Sequence, residues 1–510
     1  MSANTKDEEV RFGQLIEPKL PGLGRLPAGA SIFLVLSAAV LMVLCMVSLW
    51  AALAWAVFAL LAVAPEAFPT KDGYGRYRTL WRSHRHKASV RSGRNLVRQG
   101  AVGHVPDGSC RLPGVAAATR LETHYDVHGR EFGLIVWEKA DLYSVVMQCS
   151  PVGFSGVDKR VKDDMVAQWA GWLGTLNTIE EIVGASVVVE TVPDSGQRLS
   201  RALDRGRADE STVPAASRVV VEQIRDSYRV GSPELSCRIT LTLSGRGDQD
   251  GSVRGAAEIA EQVGDLLPSW TSMLAGTGAG TSVRPCSSAE ITDQARVAFD
   301  PSVAEIVEEV RLTGQSTGID WADAGPVFAT NTRDTYVHET AMSRTWQMLK
   351  PPQGAFFAES LQSLLSPHKD IARKRVTLLF RPETPAASAA AADNEIKKAT
   401  FKATSGRRAK AGAKAQLEAA ELTAKQEALG SPLIRVSMLV TVTAFDADEM
   451  RRASRAIRSG LSGQARIALR LPRGSQDLAF LTALPLGLVP QVHIRPPART
   501  SKSEVVEDVA

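Results

Sequence analysis

The sequence predicts an α+β protein: a two-helix transmembrane hairpin at the amino terminus, then cytoplasmic α/β sandwich-type domains with mostly antiparallel sheets. Three observations predict it. Leu26 to Pro65 is forty residues without a charged side chain. Arg and Lys crowd both flanks of that window. Beyond it, compact β-branched runs alternate with segments whose apolar residues recur every three or four positions, the signatures of strand and helix.

A helix crossing the hydrocarbon core takes about 20 apolar residues, so the window (residues 26–66) holds two spans. The break falls at Met46–Leu49, giving spans near Ala28–Cys45 and Ser48–Pro65. The rival arrangement is one span followed by a re-entrant helix. A polar tail, residues 1–25, precedes the window and argues against a cleaved signal peptide. Lys19 and Arg25 lie before the window. Lys71, Arg76, Arg78, Arg82, Arg85, Lys87, Arg91, Arg94 and Arg98 lie after it, against Asp72 alone. Basic flanks mark the cytoplasmic side, and an even number of spans puts both there. The expected location is the inner membrane, with both termini cytoplasmic.

The basic segment, residues 67–100, supplies more positive charge than the whole chain's formal +5, so the remainder is close to neutral. Beside a span such a segment is expected to face anionic lipid head groups. A direct nucleic-acid contact is not favoured, since Tyr74, Tyr77 and Trp81 are the only aromatic residues interleaved with the charge.

About 440 residues follow the hairpin, with an ordinary hydrophobic content of 44% for the chain, enough for two or three folded regions. We expect a first α+β region over 101–320 and a second over 321–490. In the first, Leu121–Val127, Gly133–Glu138, Leu142–Cys149 and Ala185–Val192 read as strands. A helix from Asp158 carries an apolar stripe through Trp169, Trp172 and Leu176. Val213–Val230 reads as helix, Leu235–Ser244 as strand and Val253–Met273 as helix, with helices on one face of the sheet. In the second, Val376–Phe380 is a strand and Ala386–Gly430 is Ala-rich helix broken near Gly406. Leu433–Phe445 is a strand, Ala447–Gly460 a helix and Ala465–Leu471 a strand. The cations Lys397, Lys398, Lys402, Arg407, Arg408, Lys410 and Lys414 read as a solvated helix face. Residues 491–510 read as a disordered tail.

Motifs that carry chemistry fail on inspection. Gly276-Thr-Gly-Ala-Gly280-Thr-Ser282 lacks the Lys of a phosphate loop and follows a helix rather than a strand. His338–Glu339 has Met342 where a zinc helix needs its second His. Ser155 lacks the spacing of a nucleophile elbow. Cys45, Cys110, Cys149, Cys237 and Cys286 are odd in number and widely spaced, which suggests reduced thiols rather than a metal site or disulfide framework. No catalytic, cofactor-binding or metal-binding residues are expected.

In the carboxy-terminal half a series of short motifs resembles a known family. Trp321-Ala-Asp-Ala-Gly325-Pro326, Tyr336-Val-His338, Ser343-Arg-Thr-Trp346 and Pro351-Pro352 come first. Val376-Thr-Leu-Leu-Phe380-Arg381-Pro382, Gln426-Glu427, Leu433–Phe445, Asp446-Ala-Asp-Glu-Met450 and Gln476–Gly487 follow. Their order resembles the amino-terminal, non-motor domain of the ATPase of conjugation-type (type IV) secretion systems. The hairpin is similar to the two-helix inner-membrane subunit of those systems, and the whole looks like an actinobacterial fusion of the two. The chain departs from the ATPases in having no Walker loop and ending near where the motor would begin. The resemblance therefore implies a non-enzymatic inner-membrane scaffold that docks a separate motor ATPase and other inner-membrane subunits, with a homo-oligomer also open. Two alternatives stay open: the E-type component of a type VII (ESX) secretion complex, which shares a hairpin and an α+β domain, and a membrane-anchored enzyme.

Overall fold

The computed structural model describes residues 28–67, 70, 73–103, 107–151, 153, 156–205, 213–227, 233–246, 253–280, 282–350, 361–383, 385–404, 411–428 and 434–494. Both expected tails (apart from 491–494), Lys71, Ser155, Pro351, Pro352, Arg407, Arg408 and Lys410 lie outside these residues.

The apolar window forms two helices, α1 (Ala28–Val47) and α2 (Leu49–Ala67), long and apolar enough to cross a membrane, with mean hydropathy of 2.7 and 1.8. Trp55 Nε1 donates to the carbonyl and hydroxyl oxygens of Ser37 at 3.2 and 3.0 Å. Along one straight helix those residues would lie about 27 Å apart, so the chain turns back on itself at Ser48. The small residues Ser31, Ser37 and Ala52 are buried, whereas Ile32, Leu36, Met42, Val43, Trp50, Leu60 and Leu61 face outward. Close approach through small side chains with large apolar ones outside is the pattern of helices packed in lipid.

Next come α3 (Arg76–Arg91), β1 (Leu96–Arg98), β2 (Thr119–Tyr125), β3 (Glu131–Trp137), β4 (Leu142–Cys149), α4 (Lys159–Leu176) and β5 (Ile182–Pro193). Then α5 (Gln197–Arg205), α6 (Ala215–Ser227), β6 (Pro233–Ser244), α7 (Ala256–Leu274), β7 (Arg284–Pro285), α8 (Ser288–Phe299) and α9 (Ala304–Leu312) follow. After them come β8 (Phe328–Asn331), β9 (Tyr336–His338), β10 (Ala341–Lys350), α10 (Gln362–Leu365), β11 (Arg373–Pro382), α11 (Pro385–Thr404) and α12 (Ala411–Ala428). The chain closes with β12 (Ile434–Ala444), α13 (Ala447–Arg455), α14 (Ser462–Gln464), β13 (Ala468–Arg470), α15 (Gln476–Thr482) and α16 (Pro490–His493).

The strands of both expected regions join one antiparallel sheet in the order β1-β8-β9-β10-β12-β11-β5-β6-β4-β3-β2, with β13 on β10 and β7 on β4. The seam between the regions is the β5–β11 pair, where Val187 opposes Leu378. On either side of that seam the same succession recurs. Three strands, a helix, a strand, two helices, a strand, a helix, a short strand and a helix run from β2 to α8 and again from β8 to α15, with α13 and α14, continuous through Ala456–Leu461, together in the place of α7. The spatial order β2-β3-β4-β6-β5 matches β8-β9-β10-β12-β11, and the seam is antiparallel. A pseudo-two-fold axis normal to the sheet between β5 and β11 produces this arrangement.

Helices cover both faces of the sheet, not one as the sequence suggests. On the first face, Val145, Met147, Ile239 and Leu241 pack under α4 and α7, and Val376, Val440 and Val442 under α13. Trp169 and Trp172 stack at 5.0 Å inside this layer, with Trp169 against Phe380. On the second face, α8, α15 and the chain from Ala483 to Val489 cover the sheet. Its centre is polar yet buried: Ser144, Ser186, Thr240, Thr242, Thr377 and Thr441 point into it. Three of these hydroxyls serve an irregular segment whose backbone has no ladder to join. Thr377 donates to Ala483 O (2.8 Å), Thr240 to Pro485 O (3.3 Å) and Thr242 to Gly487 O (2.7 Å). Buried carbonyls need such donors. Gly487 has φ +75°, and a Cβ there would overlap the Ser144 and Thr242 hydroxyls, so only glycine fits.

Candidate membrane-facing site

The basic segment folds as α3, bounded by Gly75 before and Gly93 after. Gly75 at the N-cap has no side chain to offer the helix, and Glu66 at the end of α2 takes its place. The Glu66 carboxylate accepts from Tyr77 N at 3.3 Å, and a Cβ on Gly75 would fall on that carboxyl group. A carboxylate at a helix N-terminus satisfies an orphan donor and suits the helix dipole. The apolar hairpin and α3 are thereby joined end to start.

One face of α3 lies on the body. Thr79, Arg82, Ser83 and His86 meet Leu471, Arg473, Gly474 and Arg333 across a gap of about 20 Å³, room for about one water. The Arg82 guanidinium lies 4.2 Å from the Tyr74 ring centre and the Arg470 guanidinium 4.5 Å from the same ring. Such cation–π contacts are worth about 0.5–2 kcal/mol each. Gly73 rests against Leu349 at the end of β10.

The other face is open. Tyr77, Leu80 and Trp81 are 51%, 66% and 59% exposed, and Arg85 packs over Trp81 at 4.7 Å. Arg76, Arg85, Lys87 and Arg91 are exposed around them, whereas Arg78 is half-buried. Arg94 follows the helix and donates to Ser92 Oγ (3.0 Å), and Arg98 sits on edge strand β1 opposite Phe328. The structure thus gathers Arg76, Arg85, Lys87 and Arg91 on one surface, turns Arg82 inward and carries Arg94 and Arg98 away. The charge was evident in the sequence. The apolar stripe within it, readable from the three- and four-residue spacing of Tyr77, Leu80 and Trp81, was overlooked because the charge dominates the composition.

Three buried ionisable groups in the body, His338, Lys374 and Glu190, have structural partners, whereas the buried Tyr336 hydroxyl has no hydrogen-bond partner among the described residues. His338 is fully buried, its Nδ1 bonded to Phe299 O (2.6 Å) and its Nε2 to Ser343 Oγ (2.8 Å). The carbonyl can only accept, so Nδ1 carries the proton and Nε2 accepts from Ser343. Burial holds this imidazole down at about 4. Lys374 donates to Ser366 O, and burial lowers its ammonium to about 8. Glu190 lies between Arg375 (2.7 Å) and Arg238 (3.7 Å). Burial raises its carboxyl, but Arg375, Arg238 and Arg373 outweigh that and hold it below the usual range. Cys149 and Cys237 oppose each other across β4 and β6 as free thiols, and burial pushes Cys286 up to about 11. A cleft of about 360 Å³ borders Arg111, Arg120, Glu138 and Trp321, but Arg120 is paired with Glu122 and Glu138, and Arg111 with Asp107.

Comparison of the chain with protein-family models finds no match, and comparison with curated proteins finds none.

Proposed function

We propose that this protein is a non-enzymatic inner-membrane scaffold of a conjugation-like secretion apparatus, anchored by α1 and α2 and presenting its sheet-based body to a separate motor ATPase. Both termini lie on the cytoplasmic side, and the basic helix α3 meets anionic lipid head groups at the inner leaflet. The observation that carries the anchoring is the outward apolar surface of the hairpin, with only 11% of each span buried, joined through Glu66 to a basic helix. What supports a scaffold over an enzyme is the engagement of three buried ionisable groups: His338, Lys374 and Glu190 each serve the packing of the sheet. The secretion assignment rests on the ordered motif series from Trp321 to Gly487.

The type VII reading shares every structural feature named above and differs only in its partners. Affinity purification of the full chain from native membranes tests the choice. A co-purifying ATPase of the conjugation class is expected. Recovery of type VII core subunits instead would move the assignment to that system, and recovery with no motor protein of either kind would overturn the scaffold reading.

A further inference from the structure

We propose that the outward face of α3 is a bilayer-inserting surface, with Tyr77, Leu80 and Trp81 seated at the boundary between head groups and acyl chains and Arg76, Arg85, Lys87 and Arg91 on the lipid phosphates around them. This rests on the reading of α1 and α2 as membrane spans.

Position comes first. Tyr77 N is hydrogen-bonded to Glu66 at the end of the second span, so α3 starts where the hydrocarbon stops. Leu80 and Trp81 are three and four residues further on, within about 6 Å of helix rise of that bond. The head-group layer is about 5–8 Å thick on each side of the core, so the backbone of these three residues lies at its depth.

Chemistry agrees with position. At 100° per residue, Leu80, His84, Tyr77, Ala88 and Trp81 fall on one arc about 100° wide, with Arg76 and Lys87 on one rim and Arg85 on the other. Arg91, a turn beyond, falls inside the arc, where a long stem can carry its charge out to the phosphates. The opposite arc, Thr79, Arg82, Ser83 and His86, is occupied by the body. The helix is therefore fixed by one face and leaves open the face with the amphipathic composition of an interfacial helix. Trp and Tyr favour that depth because an apolar ring can enter while its polar atom stays hydrated. A soluble protein partner is the competing occupant. Helix α3 carries no acidic residue, so a protein partner would have to bring acids matched to Arg76, Arg85, Lys87 and Arg91, whereas the phosphate layer of an anionic bilayer supplies that counter-charge without a matched surface.

The test uses the full chain reconstituted in phosphatidylcholine–phosphatidylglycerol nanodiscs, in a background with Cys45→Ser and Cys110→Ser. Leu80→Cys and Ala88→Cys report the stripe, and Glu180→Cys, exposed on the body, is the reference for a water-soluble maleimide. Leu80→Cys is expected to react roughly tenfold or more slowly than Glu180→Cys. Adding Tyr77→Ser and Trp81→Ser should return position 88 to the reference rate, with the protein still resistant to carbonate extraction. Equal labelling of positions 80 and 180 in a carbonate-resistant protein would overturn the inference and leave the membrane anchor standing. Release by carbonate would remove the anchor and the inference together.

Discussion

At the scale of single residues, Glu190 is the carboxylate shared by three strands. It pairs with Arg375, 185 residues away in the chain, and with Arg238, while Arg373 adds to the field around it. Glu190→Gln leaves buried guanidinium groups without their counter-charge and should cost about 3–5 kcal/mol, read as a lowered midpoint in chemical denaturation. His338 supplies a pH dependence. Its folded-state value of about 4 lies below the ordinary 6.5, so the unfolded chain binds the extra proton as pH falls through that interval. Stability is therefore full above pH 6.5 and declines toward pH 4, by at most about 3 kcal/mol from this group. His493, also held at about 4 by burial, adds a loss of the same sign. Denaturation midpoints at pH 7 and pH 4.5 should differ less in His338→Gln than in the parent; an unchanged difference would exclude His338 as a source. In the sequence His338 is set aside as a zinc ligand because Met342 stands where the second His would be. Nothing in it pointed to Glu190, whose partners are brought together only by sheet pairing.

At the scale of elements, the two faces of α3 call for opposite behaviour from chemically identical residues. Arg82 is stacked on Tyr74 and Arg85 on exposed Trp81. Arg82→Ser should loosen α3 from the body and speed hydrogen exchange of its amides severalfold, equivalent to about 1 kcal/mol. Arg85→Ser should leave that exchange unchanged while reducing retention of anionic lipid. The helical pair α11 and α12 is a second testable element. It is inserted between β11 and β12, whose facing ends Pro382 and Ile434 are direct partners in the sheet. Replacing residues 384–433 with a short Asn-Gly hairpin connection should keep the sheet intact and shift its unfolding midpoint by only a few degrees. Collapse of the fold on that replacement would show the pair to be structural. Helix and strand placement was largely legible here, since Leu142–Cys149 matches β4 and the Ala-rich stretch forms α11 and α12, while the expected break at Gly406 lies outside the described residues. Helix α8 was not anticipated, although Ser287 and Glu290 form a capping box that the sequence displays.

At the scale of the whole molecule, the seam between β5 and β11 ties the two expected regions together. Expressed alone, residues 101–320 would leave β5 as an open edge with Val187 and Val189 beside it, a template for misassociation. That fragment should be insoluble by itself and recovered in soluble form when co-expressed with residues 321–494; a soluble, monomeric 101–320 would show that the halves are independent. The matching succession of elements on the two sides of the seam escaped the sequence because the connections differ in length and the apolar patterns of the strands are generic.

The sequence by itself determined the hairpin, the basic flank and the antiparallel α+β character. Each depends on local quantities: apolar length against bilayer thickness, charge beside a span, and periods of two or three to four residues. Tertiary structure decided the rest. The Ser and Thr residues that alternate along β4, β6, β11 and β12 have the pattern of a solvated face, yet they are buried: Thr377, Thr240 and Thr242 donate to carbonyls of the segment from Ala483 to Gly487, and Ser144 and Thr441 pair with Thr242 and Thr345. Which arginines of α3 face outward was likewise set by packing, since Arg82 turns inward to Tyr74 and leaves Tyr77, Leu80 and Trp81 open among Arg76, Arg85, Lys87 and Arg91. Local period specifies which residues share a face. Only the contacts made by distant segments specify what that face meets.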